Sequence, residues 1–361
     1  MGIAQDFRRD LGHRVGGLLT MTLCLTPAAF LALGSFADPV WFWAALLWMI
    51  GLAPLVDRLI PEAPDPEAGE GPDSGIVSTA ILILALFPTM AEAVAVLPQM
   101  PFGATWVAAF LAFGLLLGQV GMVAAHDLIH RRHRWAVWLG QAYFTLCAFG
   151  HHASAHKLVH HVFVATPRDP NTPQKGRTIY GFIPQAWWRS AVAAWRAESR
   201  RRGGGFPTPF AFYIGGALAV AAAAFAWQGL GGLLVWAGLA FYAASQMLAA
   251  DYVQHYGLWR KRRADGKFEP ISPRHSWDTP GAFSAVMMFH AGRHADHHAH
   301  PYRAYPALRD LPAAPVHPFS VTTMVVIALI PPLWRRIVHP RLEALDSATR
   351  RAITARPMTG A

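Results

Sequence analysis

Eighteen histidines occur among the 361 residues, and most are gathered into short runs with few carboxylates beside them. HDLIH sets His126 and His130 four residues apart, and HHASAHKLVHH brings His151, His152, His156, His160 and His161 into eleven positions. RHADHHAHP carries His294, His297, His298 and His300, while DYVQHYGL adds His255. Residues three or four apart share a helix face, so His126 with His130, and His156 with His160 and His161, can each turn their rings toward one point. His294, His297 and His298 form an HxxHH arrangement, one residue tighter than the HxxxHH on which the second run ends. A solvated helix face would carry Lys and Glu; neutral imidazole is instead the commonest side-chain ligand for transition metals.

Nine rings (His126, His130, His156, His160, His161, His255, His294, His297 and His298) exceed what one ion takes. A single ion accepts about six ligands and must leave a position open for chemistry, so two metal ions are expected. Imidazole by itself leaves iron, zinc, copper and nickel open. A ligating ring normally gives its second N–H to an acceptor, and Asp127, Asp169, Asp251 and Asp296 stand near the four motifs as candidates for that role. His300, beside Pro301 and outside the HxxHH spacing, is set apart as a solvated or supporting residue. Cys24 and Cys147 sit in apolar runs without CxxC spacing, which excludes a disulfide framework and a thiolate metal site.

The elements that must position these rings are membrane helices. The chain is 53% hydrophobic and only 14% charged. A bilayer core of about 30 Å needs about 20 apolar residues per crossing, and six stretches qualify, at about residues 15–33, 41–59, 76–97, 103–125, 208–227 and 230–250. PQMPFG joins the third to the fourth and QGLGG the fifth to the sixth, each a tight helical hairpin. The first stretch follows Arg8, Arg9 and Arg14, but it is longer than a signal-peptide core and lacks a clean cleavage pattern. The Pro-rich acidic segment 58–75 suits a flexible cytoplasmic connection.

Basic residues give the orientation, because Lys and Arg concentrate on the cytoplasmic side. Three precede the first span, Arg58 lies beside the second loop, twelve fall between the fourth and fifth spans and fifteen after the sixth, which accounts for all thirty-one. LGSFADPV, PQMPFG and QGLGG contain none, so both termini are expected in the cytoplasm. The net charge of +10 is then a mark of sidedness, and nucleic acid is excluded as a partner because no basic amphipathic helix or zinc-finger spacing accompanies it.

On this topology every histidine except His13 falls at or beyond the cytoplasmic ends of the fourth and sixth spans. A metal transporter would place polar ligands near the midplane, so that reading is disfavoured. WAVWLGQAYFTLCAFG (135–150) is too short to cross and would put the first two histidine runs on opposite sides if it did, so it is expected as a buried or re-entrant helix, as is 320–330. The organisation is therefore residues 1–125 as a tail and four spans, 126–207 as a cytoplasmic segment with two histidine runs, 208–250 as two spans, and 251–361 as a cytoplasmic segment with the remainder.

HDLIHR, HKLVHHVFVATPRDPNTP, DYVQHYGL and GRHADHHAHPYRAYPAL, in this order from about residue 120 to 310, resemble the bacterial integral-membrane alkane 1-monooxygenases. These are relatives of the membrane fatty-acid desaturases and the xylene-type methyl hydroxylases. HxxxH and HxxHH fit desaturases equally; HHVFVATPRDP and HYGL are the specific part. The chain departs from the family pattern at Asp127, Arg131, Ala155, Asp251 and Gln254, while all nine histidines are in place. The resemblance implies an all-α membrane protein whose six transmembrane helices carry a histidine-rich cytoplasmic di-iron cap, two non-haem iron ions being held by the nine histidines. It implies O2-dependent hydroxylation of the terminal methyl of a hydrophobic chain, with electrons from rubredoxin and its reductase. The rivals are a lipid desaturase or hydroxylase and an aromatic-methyl monooxygenase. A bilayer-dissolved substrate needs an apolar channel to the metal, for which Trp43, Trp48, Phe110, Phe113 and Leu117 are the candidate lining residues.

Overall fold

The computed structural model describes residues 2–59, 73–206 and 208–354, and every regular element among them is helical. The acidic connection expected at 58–75 lies mostly outside the described residues. In order come α1 (Gly2–Phe36), α2 (40–59), α3 (Ile76–Val96) and α4 (Ala104–Ile129), followed by α5 (Arg134–Leu146), α6 (152–163) and α7 (Ile179–Arg201). Then α8 (208–227), α9 (230–255), α10 (Ala282–Met287), α11 (His294–Ala299), α12 (Val321–Ala328) and α13 (Pro331–Thr354) complete the chain. Among the described residues five segments are long and apolar enough to cross a membrane: Leu18–Phe36, Val40–Asp57, Ile76–Gln99, Ala104–Ile129 and Thr208–His255. Helix is the form such runs must take, since hydrocarbon offers no partner for an unpaired backbone N–H or C=O.

The last of these segments is 48 residues long and breaks in its middle, where Gln228 (φ −130°, ψ 18°) and Gly229 (φ 59°, ψ −149°) leave helical geometry. A Cβ on Gly232 would lie 2.5 Å from the Ala224 carbonyl oxygen, an approach that a continuous helix cannot make. The chain doubles back there, and glycine supplies the left-handed φ that the reversal requires.

Glycines also fix how α4 and α9 meet. A Cβ on Gly114 would strike the Tyr242 ring at 2.1 Å and one on Gly118 the Gln246 amide at 2.5 Å, while Gly238 faces Phe110. The paired numbers rise together, so the two helices run parallel. Gln246 Nε2 ties them by donating to the Gly114 carbonyl (2.8 Å). At their common start Gln99 Nε2 donates to Gln228 Oε1 (2.7 Å); at their common finish stand His126 and His130 on one side and His255 on the other.

After His130 the chain does not leave this bundle. α5, thirteen residues long, climbs back antiparallel to α4, with Gly140 against the Ala125 carbonyl and Tyr143 donating to the Leu117 carbonyl (3.4 Å). It turns at Ala148, whose φ is 51°, and descends as α6 toward the histidine layer. Position 140 has no room for a side chain, because a Cβ would sit 2.7 Å from backbone. Gly140→Val should therefore destabilise the protein by about 1–3 kcal/mol, whereas Gly215→Ala, with nothing within 4 Å, should cost nothing. Thermal midpoints of the two purified variants in detergent check this.

Candidate metal centre

Four stretches far apart in sequence deliver imidazoles to one layer. α4 brings His126 and, at its end, His130; α6 brings His156, His160 and His161; α9 ends on His255; α11 carries His294, His297 and His298. The ligand atoms of His126, His130, His156 and His297 all lie within 4.8 Å of one another, and those of His160, His255, His294 and His298 form a second such group. In the first, Nε2 of His126 and of His156 are 2.7 Å apart, and Nε2 of His161 lies 2.8 Å from that of His156 and 3.1 Å from that of His297. In the second, the His255–His294, His294–His298 and His255–His298 Nε2 separations are 2.9, 3.0 and 3.2 Å. The rings of His160 and His161, with centroids 5.9 Å apart, belong to different groups.

That division has a local cause. Residues 156–160 form a π-turn, with hydrogen bonds to the fifth residue on rather than the fourth. The wider turn brings residues five apart onto one face, so His156 meets His161 and His160 is released to the other group. At about 100° per residue an ordinary helix would pair His156 with His160 and turn His161 about 140° away, so the expectation from spacing that all three share one side does not hold.

Burial holds these rings neutral. The imidazoles of His156, His294, His297 and His298 are pushed well below the ordinary value of 6.5 by desolvation, and neighbouring rings push in the same direction. His160 is the exception: burial lowers it, but the Asp169 carboxylate outweighs burial and leaves it raised. Nε2 of His130 and of His160 are buried with no hydrogen-bond partner, and the other Nε2 atoms crowd one another. Desolvated nitrogens left this way are costly. A cation at the centre of each group satisfies them, so the donor set fits two transition-metal ions.

The four candidate carboxylates part company. Asp169 accepts from His160 Nδ1 (2.9 Å), Thr172 Oγ1 (2.7 Å) and the Asn171 amide (3.1 Å), which fixes the tautomer that presents His160 Nε2 to the centre. Asp251 receives Asn171 Nδ2 (2.6 Å) and meets no candidate ligand ring directly. Asp127 is taken by Arg131 (2.8 and 3.0 Å). Asp296, fully buried, accepts from His300 Nδ1 (2.7 Å), Arg303 and the Arg309 amide, so it anchors the 300–309 loop rather than orienting a ligand. His300 is thereby a partner of Asp296 and half exposed.

Sequence proximity missed Asp278. Its Oδ1 accepts the Ala295 amide (2.7 Å) and so caps the first turn of α11 from sixteen residues upstream, and burial pushes its carboxyl up to about 7. The signal available was the carboxylate in SWDTP, too distant from any histidine run to attract notice. His152 lies beside the centre, its ring stacked on Phe149 at 4.8 Å and 5.2 Å from that of His156.

A small cavity of ≈ 50 Å³ touches the first histidine group and is closed on its other side by Val123, Met247, Met288 and Phe289. A second, apolar cavity of ≈ 420 Å³ lies between α2, α4, α7, α9 and α12, and the face of α4 that opens onto it carries Leu111, Leu115 and Gln119. None of Trp43, Trp48, Phe110, Phe113 and Leu117 lines either one. Trp43 is turned outward, Trp48 packs on Phe30 and Phe283, Phe110 is stacked between Trp106 and Tyr242, Phe113 sits on Phe42, and Leu117 is sealed beneath Tyr143. Packing against neighbouring residues accounts for four of these side chains, and Trp43 is exposed.

Two outcomes follow from this geometry. Asp169→Asn keeps the shape but loses the charge, and should weaken metal binding about 10–100-fold in chelator competition, while Asp296→Asn should act mainly on the loop it anchors. Below pH 6.5 unfolded histidines take up protons that the buried ones refuse, so the unfolded state gains protons and stability is lost as pH falls. The raised His160 offsets only part of this. The thermal midpoint of chelator-treated protein should therefore drop from about pH 7.5 to about pH 5.5, and a flat or rising profile would mean that the rings are not held neutral.

Comparison with known proteins follows the same outline. The fatty acid desaturase family model matches residues 104–341. Alkane 1-monooxygenase 1 of Pseudomonas aeruginosa is 31% identical over 355 residues, which is 93% of this chain and 92% of that protein. Alkane 1-monooxygenase 2 of Alcanivorax borkumensis is 29% identical over 346 residues, 88% of this chain and 87% of that one. The xylene/toluene monooxygenase hydroxylase component of Pseudomonas putida is 30% identical over 254 residues, 65% of this chain and 64% of that one.

Proposed function

The chain belongs to the fatty acid desaturase family and, within it, to the alkane 1-monooxygenases, which are oxidoreductases, and from that premise we propose that it is a non-haem di-iron monooxygenase of the bacterial inner membrane. Its substrate is the terminal methyl of an alkane or similar hydrophobic chain. One atom of O2 goes to that carbon and the other leaves as water, with two electrons drawn from rubredoxin and its reductase. The observation that carries this reading is the convergence of two buried imidazole groups beside an apolar wall.

One iron would be held by His126, His130, His156, His161 and His297, the other by His160, His255, His294 and His298. Bound iron supplies the O2 activation and oxidising power that no side chain has, since an alkane methyl offers neither an acidic proton nor an electrophilic carbon. The protein's own residues do the rest. Val123, Met247, Met288 and Phe289 accept the chain end and keep water away from it. Asp169 retains the proton on His160 Nδ1 so that Nε2 stays a donor, and Asp278 fixes the start of the helix that presents three of the nine rings.

The same reading takes α1 to α4, α8 and α9 as six crossings, with the segments 126–207 and 251–361 and both termini in the cytoplasm. The absence of Lys and Arg from the opposite connections supports it. The strongly basic histidine side would complement an acidic electron carrier, an attraction that weakens as salt rises. Likeness to the xylene/toluene monooxygenase component favours an aromatic methyl group as the second reading.

His298→Ala should abolish hydroxylation and lower bound iron in membranes supplied with rubredoxin and its reductase, while His300→Ala should retain both. Full turnover by His298→Ala would contradict the assignment. Feeding octane, hexadecane, xylene and fatty acids, with mass detection of alcohol against alkene, separates the hydroxylase from a desaturase.

A further inference from the structure

A cleft of ≈ 400 Å³, separate from both cavities described above, opens where the connection after α4 and the first turns of α5 face the first turns of α8. This is the histidine end of the bundle, opposite the Gln99–Gln228 contact. The lining combines two chemistries: Arg132, Arg134 and Arg202 share it with Val137, Trp138 and Phe212.

Arg202 is held in place, Nη1 donating to Glu198 Oε2 (3.0 Å) and Nε to Thr208 Oγ1 (3.1 Å). Arg132 and Arg134 are exposed and make no ion pair or hydrogen bond among the described residues. The cleft thus gathers three guanidinium groups against one carboxylate, Glu198, which Arg202 already occupies and Arg201 approaches at 4.0 Å. Arg134 also begins α5, whose amino end has no side-chain cap, so its first-turn N–H groups add to the attraction for an anion. In the same lining, Trp138 is 53% exposed with its ring edge-on to Phe212 at 5.5 Å.

We propose that this cleft binds the headgroup phosphate of an anionic phospholipid, with the acyl chains lying over Trp138 and Phe212. A free phosphate would satisfy the arginines but leave the indole and phenyl faces uncovered; a phospholipid satisfies both. Its net negative charge matters, because the choline cation of a zwitterionic lipid would meet three guanidinium groups. Basic pockets between spans on the cytoplasmic side are suited to this task. The cleft is joined to the metal layer: Glu198 Oε1 accepts from Ser154 Oγ (2.8 Å), two residues ahead of His156. The inference rests on the membrane placement proposed above and not on the iron or the substrate.

The test is a lipid titration of the purified full-length protein in mild detergent, read by native mass spectrometry, with phosphatidylglycerol, phosphatidylcholine and inorganic phosphate as separate probes. Wild type should prefer phosphatidylglycerol to phosphatidylcholine, and inorganic phosphate should not compete. Arg132→Gln with Arg134→Gln should weaken phosphatidylglycerol binding about 30-fold, equivalent to about 1 kcal/mol for each arginine. Arg262→Gln with Arg263→Gln, which removes an equal charge outside the cleft, should leave it unchanged. Undiminished binding by the first pair, equal loss by the second, or displacement by inorganic phosphate would each overturn the proposal.

Discussion

Nine imidazoles withdrawn from water and aimed at one another are the constraint on which the rest of this structure depends. They cannot all satisfy one another by hydrogen bonds, because each neutral Nε2 either donates or accepts and three or more meet at one point, 2.7 to 3.4 Å apart. Only Asp169 among the four expected carboxylates bonds to one of the rings. Each group could hold a metal ion, which would resolve the conflict, and the fold brings four distant stretches to that meeting. The parallel run of α4 and α9, set by Gly114 and Gly118 beneath Tyr242 and Gln246, puts His126 and His255 at the same level although 129 residues separate them in the chain.

The apolar half of the molecule answers a second need. A substrate that dissolves in the bilayer would reach the proposed centre most directly from the hydrocarbon side, and Met247, Met288 and Phe289 supply an apolar wall for it. Water and charge belong to the other, where Arg303 closes the same small cavity while bound to Asp296. On the membrane placement proposed above the centre would sit between the two media, and α5 climbs back into the bundle beside it instead of leaving.

Much of this was legible in the residues themselves. Long apolar runs announced the helices, QGLGG announced the reversal after α8, and the shortness of 135–150 announced a helix that enters the bundle without crossing it. The convergence of the nine histidines was legible from type and spacing, because four runs rich in imidazole and poor in charge recur at the same ends of the helices. How they divide was not, since the π-turn at 156–160 alters the face on which His160 and His161 emerge, and a period of 3.6 residues does not anticipate that. The supporting carboxylates were harder still. Asp127 and Asp296 are next to ligands in sequence yet turn to arginines, while Asp278 is remote in sequence and caps α11. Apolar bulk within a span does not mark a channel: Trp48, Phe110, Phe113 and Leu117 pack against neighbours, and Trp43 faces outward.

The central claim is that two metal ions occupy two histidine groups rather than one ion occupying a histidine-rich patch. Iron content per chain combined with X-ray absorption spectroscopy at the iron edge measures it most directly. Two irons per chain, each in a shell dominated by imidazole nitrogen, is the predicted result. A single metal per chain, or a shell dominated by carboxylate oxygen, would contradict the account.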